Sequence, residues 1–160
     1  MSEQLPDELL QALLNRWPVG RLATVSTQGM PHSVPIVFCE LGGAIYSPVD
    51  GKRKRGRNLQ RFSNIAQNPK ATLLLDEYTM DWQRLWWVRI DGIAERYKPD
   101  AGHGRAIADR LMDKYPQYNE PDFMFDTTVF LRLRPDKVAA WMQSNSLATI
   151  GLALAETSQE

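Results

Sequence analysis

Apolar positions recur along this chain with two different spacings, and each change of spacing marks where one kind of element gives way to another. Leu9, Leu10, Leu13 and Leu14 fall three and four residues apart, the period of a helix with one apolar face. Pro6 suits the first turn, Asp7 and Glu8 complement the positive end of the helix dipole, and Pro18 with Gly20 stops the helix. From Arg21 the period is two. Residues 21–26 read as a half-buried strand, residues 27–29 turn the chain, and residues 30–41 return as a second arm. Pro31 and Pro35 cannot donate to a ladder, so that arm is expected at a sheet edge or a bulge. Gly42-Gly43 then closes a hairpin into a strand at residues 44–47.

Leu59, Phe62, Ile65 and Ala66 predict the inner face of a short helix, with Arg57 and Arg61 on its polar face and Pro69 as its limit. Residues 71–75 are a continuous apolar run of strand length, and residues 76–81 form an acidic loop. Residues 85–97 are the longest strand candidate, with a bend expected at Gly92. Trp86 and Trp87 are neighbours in that strand and must face opposite sides, so one suits the core and the other needs a second surface. Residues 100–115 predict a helix with Ile107, Ala108, Leu111 and Tyr115 on one face, ended by Pro116. Residues 128–134 alternate as a last strand, followed by a turn at Pro135-Asp136 and a short segment anchored by Val138 and Trp141; the pattern past Ser144 assigns no element. Strands and helices do not alternate regularly, which disfavours a doubly wound parallel sheet. The expected fold is mainly β, a mostly antiparallel sheet closed or half-closed into a barrel with peripheral helices.

At 160 residues the chain fits one domain. Nineteen Lys plus Arg balance nineteen Asp plus Glu, which argues against a general nucleic-acid binder. Cys39 is the only cysteine, so no internal disulfide framework exists, and with His32 and His103 the only histidines no metal cluster is expected. A reducing cytoplasm fits this usage. The N-terminus is acidic and no apolar run approaches the ~20 residues that span a bilayer, so a soluble protein with no membrane partner is expected.

Charge is balanced overall but uneven locally. A polar turn at Pro48-Val49-Asp50-Gly51 is followed by Lys52, Arg53, Lys54, Arg55 and Arg57 in one loop between a strand and a helix. Cationic side chains and the amides of a helix start suit an anion, a phosphate above all. The alternatives are a solvated basic surface, or a nucleic-acid patch over residues 52–61, whose affinity would fall steeply with salt. Gly102-His103-Gly104 lacks the third glycine of a dinucleotide fingerprint, Gly51-Lys52 lacks the flanking residues of a phosphate loop, and no Gly-x-Ser-x-Gly elbow occurs. Hydrolase chemistry is therefore not indicated. Cys39 reads as a buried small hydrophobe, His32 as a surface or core residue unless a ligand meets it, and the five tryptophans as core and interface unless one walls a planar ring.

The order of three runs, GRLATVSTQGMPHSVPIVFC, IYSPVDGKRKRGRNLQRFSNIAQNPKATLLLDEY and LWWVRIDGIAERY, resembles the pyridoxamine 5'-phosphate oxidase-like family, the FMN-binding split barrels. It is most similar to the branch of probable F-420-dependent enzymes, and the resemblance covers about residues 8–142 of a single domain spanning 1–160. The resemblance implies a homodimeric split β-barrel with FMN or F-420 in a groove between subunits and a small organic substrate that exchanges hydride with it. It implies that Ser47, Lys54 and Arg57 grip the cofactor phosphate, with Lys52 and Arg55 as further charges. His32, Ser33, Val34, Pro35 and Ile36 would face the ring, and Trp86 or Trp87 would wall the pocket or reach in from the partner. The second strand lacks the Arg-x-x-x-Leu-Lys pattern of the true pyridoxamine-phosphate oxidases, so that particular activity is not implied. A non-catalytic flavin- or haem-binding protein of the same fold is the alternative.

Overall fold

A computed structural model describes residues 5–50, 59–143 and 147–157, except for the side chains of Asp50, Leu147 and Leu152. Helix α1 (Asp7–Arg16) leads into strands β1 (Gly20–Val25), β2 (Pro31–Ile36), β3 (Cys39–Leu41) and β4 (Ala44–Asp50). Helix α2 (Gln60–Gln67), β5 (Lys70–Glu77), β6 (Trp86–Tyr97), α3 (Ala101–Lys114), β7 (Phe125–Met142) and α4 (Leu147–Glu156) follow. All ladders are antiparallel, and the order across the seven-stranded sheet is β2-β1-β5-β6-β7-β4-β3.

That order explains the barrel. β2 and β3 occupy opposite edges of the sheet, yet only Val37 and Phe38 separate them in the chain. Three backbone steps from Ile36 to Cys39 reach at most about 11 Å, so the sheet must curl until its edges meet there. The expected single arm over residues 30–41 is therefore two strands, each ending where the chain changes edges. Tyr115, the residue that caps α3, fastens this crossing. Its hydroxyl accepts from the Phe38 amide (3.1 Å), and its one proton is shared between the carbonyls of Pro18 (2.8 Å) and Phe38 (3.1 Å).

The β3–β4 hairpin turns through Gly42 (φ +62) and Gly43 (φ +84), left-handed positions that glycine occupies without strain. Gly92 marks a bulge between β6 and β7, as its bend was expected to. A Cβ there would lie 2.2 Å from the Arg134 carbonyl oxygen. The turn expected at Pro135-Asp136 is instead part of this bulge: Gly92 faces Pro135, Asp91 faces Lys137, and β7 continues to Met142. A proline is tolerated where the ladder is already interrupted.

The main core joins the inner faces of the sheet to α1, α2 and α4 through Leu13, Leu22, Phe62, Leu73, Trp86 and Ile150. Helix α4, which the sequence pattern did not assign, buries Ile150, Ala153 and Leu154. On α2 the inner face holds Phe62, Ile65 and also Asn64, while Ala66 is exposed, contrary to its expected place. A second, aromatic-rich cluster joins Tyr46, Ile107, Leu111, Tyr115 and Phe130 beneath α3.

Candidate functional site

Strand β2 alternates its side chains as an edge strand must. His32, Val34 and Ile36 stand opposite Thr24, Leu22 and Gly20 of β1, whereas Ser33 and Pro35 stand opposite Ala23 and Arg21 and are exposed. Ile36 belongs to the core, and His32 and Val34 are half-buried. A polar ladder runs beside His32. Asn64 of α2, 1% exposed, donates from Nδ2 to the Thr24 hydroxyl at 2.9 Å and accepts on Oδ1 from Gln60 Nε2 at 2.8 Å. Next to this satisfied chain, His32 Nδ1 is buried with no hydrogen-bond partner among the described residues. An orphaned buried nitrogen costs about 1–3 kcal/mol unless a ligand or water meets it.

Gln60 opens α2, and among the described residues no side chain caps the helix start at Leu59. The ladder thus ends at the start of α2, the positive end of that helix's dipole. The cationic loop precedes it in the chain, but Lys52, Lys54, Arg55 and Arg57 lie outside the described residues. Ser47 lies within β4 opposite Leu131 of β7 and is 2% exposed.

The two tryptophans separate as adjacent strand residues should. Trp86 is fully buried, crosses Trp17 edge to face with ring centres 4.8 Å apart, and donates from Nε1 to Glu77 Oε2 at 3.1 Å. It is a core residue of this chain, the place the sequence allowed to one of the pair. Trp87 points to the outer face. There it lines a pocket of about 260 Å³ with Leu74, Asp76, Tyr78 and Arg89, and it stands opposite Trp141 of β7. The outer faces of β1, β5 and β6 also carry Ala23, Val25 and Thr72, so this side of the sheet mixes apolar area with a few charged pairs, Arg21 with Asp76 and Arg89 with Asp91.

A third group of functional side chains escaped the sequence reading. Lys114 ends α3 and donates from Nζ to the Leu14 carbonyl at 2.9 Å. The helical partner of that carbonyl would be the amide four residues on, but Pro18 has none, so Lys114 fills a vacancy in the last turn of α1. Nζ also sits 3.6 Å from the centre of the Phe38 ring. Burial draws this amine down from 10.5 to about 7, only partly opposed by Cys39. Burial likewise pushes the Cys39 thiol up to about 12, against the pull of Lys114 and Arg110, and raises the Tyr115 hydroxyl. No periodicity could single out Lys114, because a terminal lysine on a helix ordinarily reaches water. The other histidine is engaged: His103 Nδ1 bonds the Tyr97 hydroxyl at 2.7 Å. Among the described residues no group of His, Cys, Asp and Glu could hold a metal ion, and no helix is long and apolar enough to cross a membrane.

The comparisons with known proteins agree with this architecture. The family model described as pyridoxamine 5'-phosphate oxidase matches residues 6–142. No curated protein matches. Among solved structures, the heme storage protein HutZ from Vibrio cholerae is similar with a TM-score of 0.62 at 14% identity, covering 88% of this chain and 96% of its own. A FAD-binding protein from Mesorhizobium loti is similar with a TM-score of 0.58 at 22% identity, covering 88% of this chain and 96% of its own. An F420 reductase is similar with a TM-score of 0.57 at 24% identity, covering 84% of this chain and 98% of its own. The structural likenesses at these identities speak for the fold, and the family match extends over most of the sequence. On that match, the chain belongs to the pyridoxamine 5'-phosphate oxidase-like family of split β-barrels.

Proposed function

We propose that this protein binds FMN or F-420 between two copies of the chain and serves as an oxidoreductase toward a small organic substrate. The observation that carries the reading is the orphaned Nδ1 of His32, buried on an edge strand beside the Thr24–Asn64–Gln60 ladder. It is a polar group with no partner among the described residues, on the strand that the family resemblance assigns to the cofactor ring, and a heteroaromatic ring carries the polar atoms to meet it. The cationic residues Lys52, Lys54, Arg55 and Arg57, with Ser47 and the positive dipole end of α2, suit the phosphate. F-420's acidic tail would engage more of those cations than FMN does.

The bound group would supply hydride chemistry. The chain's own share is to hold the phosphate by charge-assisted hydrogen bonds, orient the ring against β2, and exclude water through Val34 and Ile36. For the second subunit we propose the outer face of β1, β5 and β6, where Leu74, Trp87 and Trp141 offer apolar area and the Trp87 pocket would lie in the seam. The same imidazole nitrogen is also a donor that haem iron would accept, which keeps a non-catalytic haem-binding role as the second reading.

Side-by-side titration with FMN and F-420, followed by absorbance, tests the proposal. Uptake of one of them is expected, with affinity reduced about tenfold or more in Lys54→Ala/Arg57→Ala and reduced in His32→Leu. A Soret band on haem addition with no response to either flavin would select the haem reading. Unchanged affinity in both variants would sink the site assignment.

A further inference from the structure

We propose that Lys114 is a nucleophilic amine that captures a small aldehyde bearing a carboxylate, and holds it as an imine in the pocket between α1, β3 and α3. The pocket measures about 160 Å³, and its walls include Asn15 from α1, Cys39 and Glu40 from β3, and Arg110, Asp113 and Lys114 from α3. This volume admits a molecule of a few heavy atoms.

Three features of the pocket argue for covalent capture. First, Lys114 is set between a carbonyl and an aromatic face, with Nζ 2.9 Å from Leu14 O and 3.6 Å from the Phe38 ring centre. Among the described residues no carboxylate pairs with it, although Glu40 and Asp113 share the pocket. Burial therefore outweighs attraction, and the amine is substantially neutral near pH 7. Second, Arg110 precedes Lys114 by one helical turn, so guanidinium and amine serve the same pocket about 5–6 Å apart at their Cβ atoms. Among the described residues no carboxylate occupies the Arg110 guanidinium either. An aldehyde with an adjacent carboxylate would set its anion at Arg110 and its carbonyl carbon at Lys114, both of which line the pocket. Third, Glu40 and Asp113 offset the positive charge of a protonated imine.

The step balances without a further reactant. The Nζ lone pair attacks the aldehyde carbon and the C–N bond forms as the carbonyl π pair moves to oxygen, which takes a proton. The carbinolamine hydroxyl then takes a proton from solvent and leaves as water while the nitrogen keeps its last proton, giving the protonated imine. The groups facing Lys114 that could alter its titration are Cys39 and Glu40 on β3, Arg110, Asp113 and Tyr115 at the end of α3; α1 contributes only Asn15 and the Leu14 carbonyl.

The rate comparison uses the unsubstituted full chain, and one variant then tests the anion site. Glyoxylate and cyanoborohydride are added at pH 7, and alkylated lysines are located and timed by peptide mass spectrometry. Lys114 is expected to be modified at least about tenfold faster than the exposed Lys70, Lys98 and Lys137. Arg110→Met is expected to slow glyoxylate trapping about tenfold more than it slows trapping of uncharged propionaldehyde. Modification of Lys114 at or below the rate of the exposed lysines overturns the proposal. Equal slowing of both aldehydes by Arg110→Met overturns the assignment of an anionic substrate.

Discussion

Replacing Lys114 by methionine should flatten a pH dependence that the native fold builds in. The unfolded chain titrates this amine at 10.5, and the folded chain holds it at about 7 because the pocket strips its water. Between those values the unfolded state carries a proton the native state has released, so stability rises with pH across the window. Below pH 7 both states are protonated and the full burden of a buried ammonium is present. The displacement from 10.5 to about 7 corresponds to about 5 kcal/mol over the whole window, and about 2–2.5 kcal/mol of it falls between pH 7 and pH 9. Above pH 9 the opposite drift begins, since Cys39 keeps its proton to about 12 in the fold but releases it near 9 when unfolded. Urea denaturation at pH 7, 8 and 9, with constant m, isolates the lysine. Wild type should gain about 2 kcal/mol from pH 7 to 9, and Lys114→Met should change by less than about 0.5 kcal/mol. The methionine loses one hydrogen bond to Leu14, about 1 kcal/mol, but this offset is the same at every pH. A wild-type profile as flat as the variant's would refute the reasoning. It would mean that the Leu14 carbonyl and the Phe38 ring hold the ammonium charged despite its burial.

The other predictions concern single contacts. Gly92→Ala should destabilise by about 2–3 kcal/mol because its methyl would meet the Arg134 carbonyl; a melting temperature equal to wild type would contradict the bulge geometry. Tyr115→Phe should lose about 1–3 kcal/mol, measured by urea titration, because the Phe38 amide loses its acceptor. Asn64→Leu removes the donor to the buried Thr24 hydroxyl and should cost a similar amount, about 1–3 kcal/mol. Rescue of that variant by Thr24→Val would show that the two side chains act as a pair, and no rescue would show that they do not.

Much of the fold was legible because over β1, β5 and β6 the sheet has one buried face and one more exposed face. Alternation in residues 21–26 and three-four spacing in α1 and α3 report burial directly, and prolines mark the ends of α1, α2 and α3. The failures share a cause, which is that tertiary partners decided them. Pro135-Asp136 reads as a turn until Gly92 opposite it makes room for a bulge. Asn64 was not among the residues expected on the inner face of α2, where Thr24 supplies it a buried acceptor, and Ala66 is small enough to be left outside. Residues 30–41 look like one arm because the break at Val37-Phe38 is set by closure of the barrel and not by any local breaker. Of the candidate site, the strand that carries His32 was readable from its prolines and from family resemblance. The orphaned nitrogen and the Lys114 pocket were not, since each depends on residues brought together from distant parts of the chain.

The crossing at Val37-Phe38 also ties two regions that lie at opposite ends of the sheet order. β2, with His32, and β3, with Cys39 and Glu40, are leashed by a pair of residues whose backbone is clamped by one phenol. Such a short leash has no slack. A one-residue insertion there would let either rim of the barrel slide alone, whereas in the natural chain neither rim can move along its neighbour without dragging the other.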